Sequence, residues 1–208
     1  KEISRASTSL LNKIKTQPLS LASIEQPNDL IFFNGIGGFS PDGKEYVIVT
    51  NNQTKTPAPW VNVIANPNFG TVISECGSAY TWTENAHELR LTSWSNDPVS
   101  DTSGEAFYIR DEDNGHFWST ALLPATGQSN YITRHGFGYS VFEHLEDGIY
   151  SEMTVYVDIA AAVKFIVIKL KNQSGRARNL SATGYIEWVL GDNRMKTAMH
   201  IRTEIDPD

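Results

Sequence analysis

From about residue 30 onward, short runs of β-branched and aromatic residues alternate with clusters of Gly, Asn, Asp and Pro. That rhythm predicts an antiparallel all-β domain. The clearest strands are expected at Glu45–Thr50, Trp60–Ala65, Thr71–Glu75, Ala79–Thr83, Ala106–Arg110 and Gly138–Glu143. Three longer ones are expected at Ile149–Asp158, Val163–Lys171 and Asn179–Leu190. In the first of these, Met153, Val155 and Val157 share one face while Thr154 and Tyr156 share the other. The run from Val163 to Leu170 is apolar on both faces in its middle, which reads as a central, covered strand. The turn Asn172-Gln-Ser-Gly175 then makes a hairpin with the next strand. No amphipathic helical segment occurs after residue 30, which argues against a βαβ arrangement. About a dozen strands are too many for one flat sheet, so two packed sheets are expected.

The first 28 residues have a different character. They are rich in Ser, Lys, Gln and Thr, with weak helical spacing at Leu10, Leu11 and Ile14, and Pro18 and Pro27 interrupt any continuation of that helix. Residues 1–28 therefore read as a linker or short docking helix, and residues 29–208 as the β-sandwich. Because the chain starts at Lys1 and stops in what reads as a strand running into a turn, the sandwich is expected to continue beyond Asp208.

Composition narrows the function. A net charge of −7 argues against nucleic acid or an anionic membrane as partner. The longest apolar candidate, Ile159 to Leu170, is interrupted by Lys164 and Lys169 and falls short of a membrane span of roughly 20 residues. The single cysteine, Cys76, excludes an internal disulfide, fits a reducing compartment and reads as a packed small hydrophobe. Five Trp, eight Tyr and nine Phe supply more aromatic faces than turn chemistry needs, and exposed ones can stack on sugar rings.

Candidate chemistry is sparse. Asn34-Gly-Ile-Gly-Gly-Phe-Ser-Pro-Asp-Gly43 lacks the helix that a phosphate loop needs after its glycines, so it reads as a bend feeding a hairpin. Thr56-Pro-Ala-Pro-Trp60 is a rigid extended entry to a strand. Trp94-Ser-Asn-Asp-Pro98 sets an indole beside amide and carboxylate groups, which suits either a sugar-binding edge or an Asx turn with a packed Trp. Arg134-His-Gly-Phe-Gly-Tyr139 reads as a bulge or close backbone approach whose polar side chains face a ligand. The candidate substrate-contacting residues are thus Trp94, Asn96, Asp97, Arg134 and His135. His87, His116, His135, His144 and His200 lack metal-ligand spacing, so no metal is expected. Glu187, between Ile186 and Trp188, is either an outward strand residue or a buried acid, and no carboxylate ranks as catalytic.

Phe32-Phe-Asn-Gly-Ile-Gly-Gly-Phe-Ser-Pro-Asp-Gly-Lys-Glu-Tyr-Val-Ile48 closely resembles a stretch of the cyclic β-1,2-glucan synthases. So do Thr56-Pro-Ala-Pro-Trp-Val-Asn-Val-Ile-Ala-Asn66, Trp94–Asp101, Tyr108–Asp113, Arg134–Ser140 and Glu187–Gly191, in matching order. That region is similar to the N-terminal β-sandwich of glycoside hydrolase family 94, formerly glycosyltransferase family 36. The resemblance implies a galactose-mutarotase-like super-sandwich joined to a downstream (α/α)6 barrel. In that family the barrel carries the general acid, and inorganic phosphate is a co-substrate. It also implies a β-glucan oligosaccharide ligand, a homodimer, and a cytoplasmic domain of an inner-membrane parent. No catalytic residue of the family maps onto this chain and no cofactor is implied. Two alternatives stand beside this reading. One is a purely structural dimerisation or packing module. The other is a stand-alone aldose epimerase pairing His135 or His144 with Glu187.

Overall fold

The computed structural model describes residues 22–95, 97 and 99–206. The helical spacing at Leu10, Leu11 and Ile14, and the candidate Asn96, lie outside the described residues. The strands are β1 (Gly37–Phe39), β2 (Glu45–Thr50), β3 (Val61–Asn66), β4 (Phe69–Ser74), β5 (Ala79–Thr83), β6 (Arg90–Thr92) and β7 (Glu105–Asp111). They continue with β8 (Phe117–Ser119), β9 (Tyr131–Gly136), β10 (Tyr139–Glu146), β11 (Ile149–Val157), β12 (Lys164–Asn172), β13 (Leu180–Ile186) and β14 (Trp188–Gly191). A single short α-helix, α1 (Arg194–Thr197), comes after them among the described residues.

The all-β antiparallel class holds, with one refinement. A six-stranded sheet ordered β1-β2-β9-β10-β11-β12 faces a layer split into a five-stranded sheet, β14-β6-β5-β4-β3, and a three-stranded sheet, β13-β7-β8. β11 shows the driving pattern most plainly, with every second residue buried from Ile149 to Val157. Its Met153, Val155 and Val157, with Phe142 of β10, meet Ile64, Phe69, Ile73 and Ala79 of the five-stranded sheet. A second cluster joins Ile109 and Trp118 of the three-stranded sheet to Ile149. In the stretch read as a linker, Ile24 packs with Leu30 on Val47, Val49 and Ile132.

Two strand assignments need correction. The Val163–Leu170 run is not central and covered: β12 lies at the edge of the six-stranded sheet. Ile166 and Ile168 face the core, whereas Phe165 on the outer face stacks on Tyr156 with ring centroids 5.0 Å apart. A cross-strand aromatic pair, not a covering layer, accounts for the second apolar face. Nor do β12 and β13 form a hairpin, since β13 pairs with β7 instead. Arg178, two residues before β13, sets that register. Its Nε donates to Asp111 Oδ2 at 3.0 Å at the end of β7, and its Nη1 to Asp147 O at 2.7 Å in the β10–β11 turn. The expected Asn179–Leu190 strand also breaks at Glu187, where the chain passes from β7 to β6 as partner: Ile186 pairs with Glu105, Trp188 with Thr92.

Side-chain amides tie the edge strand β3 to the opposite sheet. Asn62 Nδ2 donates to Gly136 O (3.0 Å) and Tyr139 O (2.9 Å), and Asn66 Nδ2 to Asp158 O (2.8 Å) and Ala161 O (2.9 Å). These bonds satisfy backbone carbonyls that would otherwise be left at the sandwich margin. They also fix the start of β3, and the segment before it, as one side of a cleft.

Candidate functional site

The cleft has two walls and a turn between them. Thr56-Pro-Ala-Pro-Trp60 forms the first wall, where Pro57 and Pro59 stiffen the backbone. It is held from behind by Glu75, whose carboxylate accepts the Trp60 amide at 2.7 Å and the Thr56 hydroxyl. Glu75 begins the tight β4–β5 connection. There Ser74 Oγ accepts from the amides of Cys76 and Ser78, both at 3.2 Å, and donates to Asp101 Oδ2 at 2.6 Å. Gly77 completes it at φ 88°, a left-handed conformation in which a Cβ would sit 2.3 Å from that of Ala121. Thr133 Oγ1 donates to Glu75 O at 2.8 Å, so the turn is also tied to β9.

The second wall is the loop after β6. Trp94 packs against Tyr80 in a tilted pair with centroids 4.8 Å apart, Tyr80 leans on Trp82 at 5.3 Å, and the Arg90 guanidinium lies 6.0 Å over the Tyr80 ring. This backing holds the indole while 37% of Trp94 stays exposed. Asp97 makes an Asx turn, accepting the Val99 amide at 2.9 Å, and Asp101 comes next at φ 45°. That left-handed conformation is uncommon for a residue with a Cβ and aims Asp101 into the cleft.

Two adjoining cavities lie in the space between the walls. One, about 270 Å³, is lined by Pro59, Val61, Ser78, Trp94, Asp97 and Thr102 among others. Its neighbour, about 200 Å³, reaches Lys55, Thr56, Glu75, Ser100 and Leu122. They share Ala58, Pro59 and Asp101. Burial pushes the carboxyls of Glu75 and Asp101 up from their ordinary values, against the hydrogen bonds that lower them. The exposed Asp97 is shifted the other way, chiefly by the Ser100 hydroxyl. Burial pushes the Cys76 thiol well up, as fits a packed, unreactive cysteine.

Of the sequence candidates, Trp94 and Asp97 thus stand together at this cleft, whereas Arg134 and His135 do not join them. The latter two are consecutive in β9 and face opposite sides of the sheet. On the outer face, Arg134 is paired with Glu45 (3.3 Å) and Glu143 (3.0 Å). His135 points inward, where Nε2 donates to Trp60 O at 3.1 Å and Nδ1 accepts from Ser140 Oγ at 2.8 Å. It supports the cleft wall from behind. The other proposed epimerase groups are also engaged elsewhere. His144 is fully buried and stacked on Tyr131 at 3.6 Å, with Glu146 Oε2 3.2 Å from its Nε2, while Glu187 pairs with Arg194 at 2.6 Å.

These environments give a pH prediction. Burial lowers His135 to about 4, from an ordinary value of 6.5. The unfolded chain therefore binds the proton first, and stability falls as pH drops from about 6.5 to about 4. The loss amounts to at most about 3 kcal/mol. Glu146, held at about 2 where hydrogen bonds from His144 and the Gln128 amide outweigh burial, adds a loss as pH falls from 4.5 to about 2. Glu75 and Asp101 act in the opposite sense, since their raised values favour the protonated fold at low pH. Urea unfolding between pH 7 and 4 should show a falling midpoint, and His135→Gln should flatten the slope above pH 4. An unchanged slope in that variant would remove His135 as the source.

One polar cluster was not visible in the sequence. Lys164, in β12, reaches across the core to Glu105 of β7, and its Nζ also donates to Thr71 Oγ1 (3.1 Å) and Thr81 Oγ1 (3.2 Å). Glu105 Oε1 accepts from Thr81 (2.6 Å) and Thr92 (2.7 Å). The cluster floors a groove of about 340 Å³ walled by Phe69, Leu91, Ile166, Ile186 and Trp188. All three ammonium protons are used internally, so the cluster reads as a strut joining the three sheets. The interruption of the apolar run by Lys164 was its only trace in the sequence. Among the described residues, no group of three or more His, Cys, Asp or Glu could hold a metal ion. No described helix is long and apolar enough to cross a membrane.

The family model for the glycosyl hydrolase 94 supersandwich domain matches residues 44–208. The chain is 40% identical over 179 residues to the cyclic β-(1,2)-glucan synthase NdvB of Rhizobium meliloti strain 1021, covering 86% of the chain and 6% of that protein. It is 32% identical over 165 residues to the N,N'-diacetylchitobiose phosphorylase of Vibrio furnissii, covering 76% of the chain and 20% of that protein. It is 28% identical over 163 residues to the solabiose phosphorylase of Paenibacillus borealis, covering 75% and 20%. The chain therefore spans a fifth or less of the length of each of these relatives.

Proposed function

The chain belongs to the glycosyl hydrolase 94 supersandwich family, and from that premise we propose that it is the accessory sandwich of a larger β-glucan-processing protein. The parent in this reading is a cyclic β-1,2-glucan synthase or a related inverting phosphorylase, with inorganic phosphate as its co-substrate. The higher identity to the glucan synthase than to the two phosphorylases supports the first parent. A separate (α/α)6 domain of that parent performs the chemistry on the cytoplasmic side of the inner membrane. The sandwich contributes packing, a homodimer surface and one sugar-contacting edge.

The observation that carries the sugar edge is the half-exposed Trp94 indole, braced by Tyr80 beside Asp97 and Asp101. An apolar ring face and nearby oxygen acceptors match the two kinds of surface on a pyranose. Arg134 and His135, engaged in internal ion pairs and hydrogen bonds, support the scaffold in this reading. Their placement favours a structural role for β9, which coexists with a sugar contact at the cleft.

Calorimetric titration of the full chain with β-1,2-linked glucooligosaccharides tests this. Trp94→Ala should weaken binding about tenfold, the effect of losing about 1.4 kcal/mol from one aromatic anchor. Equal affinity in the variant would exclude Trp94 as the sugar platform.

A further inference from the structure

The two cavities share a waist, and the shared residues decide how the cleft is occupied. Ala58 and Pro59 on one side and Asp101 on the other line both lobes, so the lobes adjoin at this waist. Each lobe alone is below the ~300 Å³ at which ligand clefts begin, whereas the two together fall inside that range. Both lobes pair an apolar surface with hydroxyls. In the first these are Trp94 and Val61 with Ser78 and Thr102, and in the second Leu123 with Thr56 and Ser100. At the waist, Asp101 is anchored through Oδ2 to Ser74. Charge is distributed unevenly: among the described lining residues, Asp97, Asp101 and Glu75 stand against the ammonium of Lys55.

We propose that the lobes are consecutive subsites of one site, which takes a neutral disaccharide unit and rejects uronic acids and sugar phosphates. This rests on the cleft being the sugar-contacting edge. A ligand spanning both lobes gains two apolar contacts and places its linkage beside Asp101, whereas a monosaccharide fills one lobe. A ligand carboxylate or phosphate instead meets like charge in a partly desolvated cleft, where repulsion is weakly screened. The discrimination comes from that repulsion as much as from the fit of the neutral sugar.

The test is calorimetry on the full chain with three probes: glucose, the β-1,2-linked glucose disaccharide, and the same disaccharide with one unit oxidised to a uronate. The disaccharide should bind at least tenfold more tightly than glucose, and at least tenfold more tightly than its uronate. Asp97→Asn, which removes one exposed carboxylate from the cleft, should narrow the ratio of disaccharide to uronate affinity several-fold. Equal affinities for glucose and disaccharide would overturn the paired subsites. A uronate bound as tightly as the neutral disaccharide would overturn the charge selection. If no probe bound at all, the sugar edge itself would fall, and this proposal with it.

Discussion

Replacing Arg178 by Ala should destabilise the fold by about 3–5 kcal/mol, because it leaves the buried Asp111 carboxylate without the guanidinium that pairs with it. Arg178 is 1% exposed in its side chain, Asp111 0% and Asp147 9%, so solvent cannot compensate. The guanidinium also joins three separate places, the end of β7, the β10–β11 turn and the lead into β13. Its loss should therefore release β13 from β7 as well as lower global stability. Urea unfolding measures the first effect and amide exchange across Leu180–Ile186 the second. A loss below about 1 kcal/mol, the scale of an exposed ion pair, would show that the cluster is not desolvated in solution.

Lys164→Met should have an effect of similar size, about 3–5 kcal/mol, through the same physics at the centre of the sandwich. Burial pushes the Glu105 carboxyl up, but the Lys164 ammonium and the Thr81 and Thr92 hydroxyls outweigh it and hold the group below its usual range. Without Lys164, burial has fewer opposing contacts and the carboxylate must take up a proton or draw in water. Adding Glu105→Gln to Lys164→Met should recover part of the loss, because the remaining amide is neutral and can still accept from the threonines. Unfolding of both variants, compared with Glu105→Gln alone, closes the double-mutant cycle. Strictly additive losses would mean that Lys164 and Glu105 do not act as a pair.

Both clusters show why part of this fold was legible in the sequence and part was not. Strict alternation placed β11 correctly, since one buried face forces a period of two. The same logic misjudged β12, because Phe165 is apolar for cross-strand stacking on Tyr156 and not for burial under another layer. Nothing local announced that Asn179–Leu190 would change sheets at Glu187. That break depends on Gly104 O accepting the Glu187 amide at 2.7 Å, a contact between residues distant in sequence.

The candidate site divides in the same way. Trp94 and Asp97 were recognisable because an indole, amides and carboxylates sit within a few residues of one another. Glu75 carried no such signal, although it anchors the opposite wall through Thr56 and Trp60. Arg134 and His135 illustrate a constraint that the sequence did contain. Neighbours in a regular strand face opposite sides, so the two could not both line one surface once β9 was regular.

The most direct test of a sugar-contacting accessory sandwich is an amide chemical-shift map of the full chain titrated with β-1,2-glucooligosaccharides. The expected result is saturable shifts confined to residues 55–61, 74–78, 94, 95, 97 and 99–102, the described parts of the two walls and the turn between them. Saturable shifts centred elsewhere, for example on the outer face around Arg134, or no shifts at millimolar ligand, would contradict it.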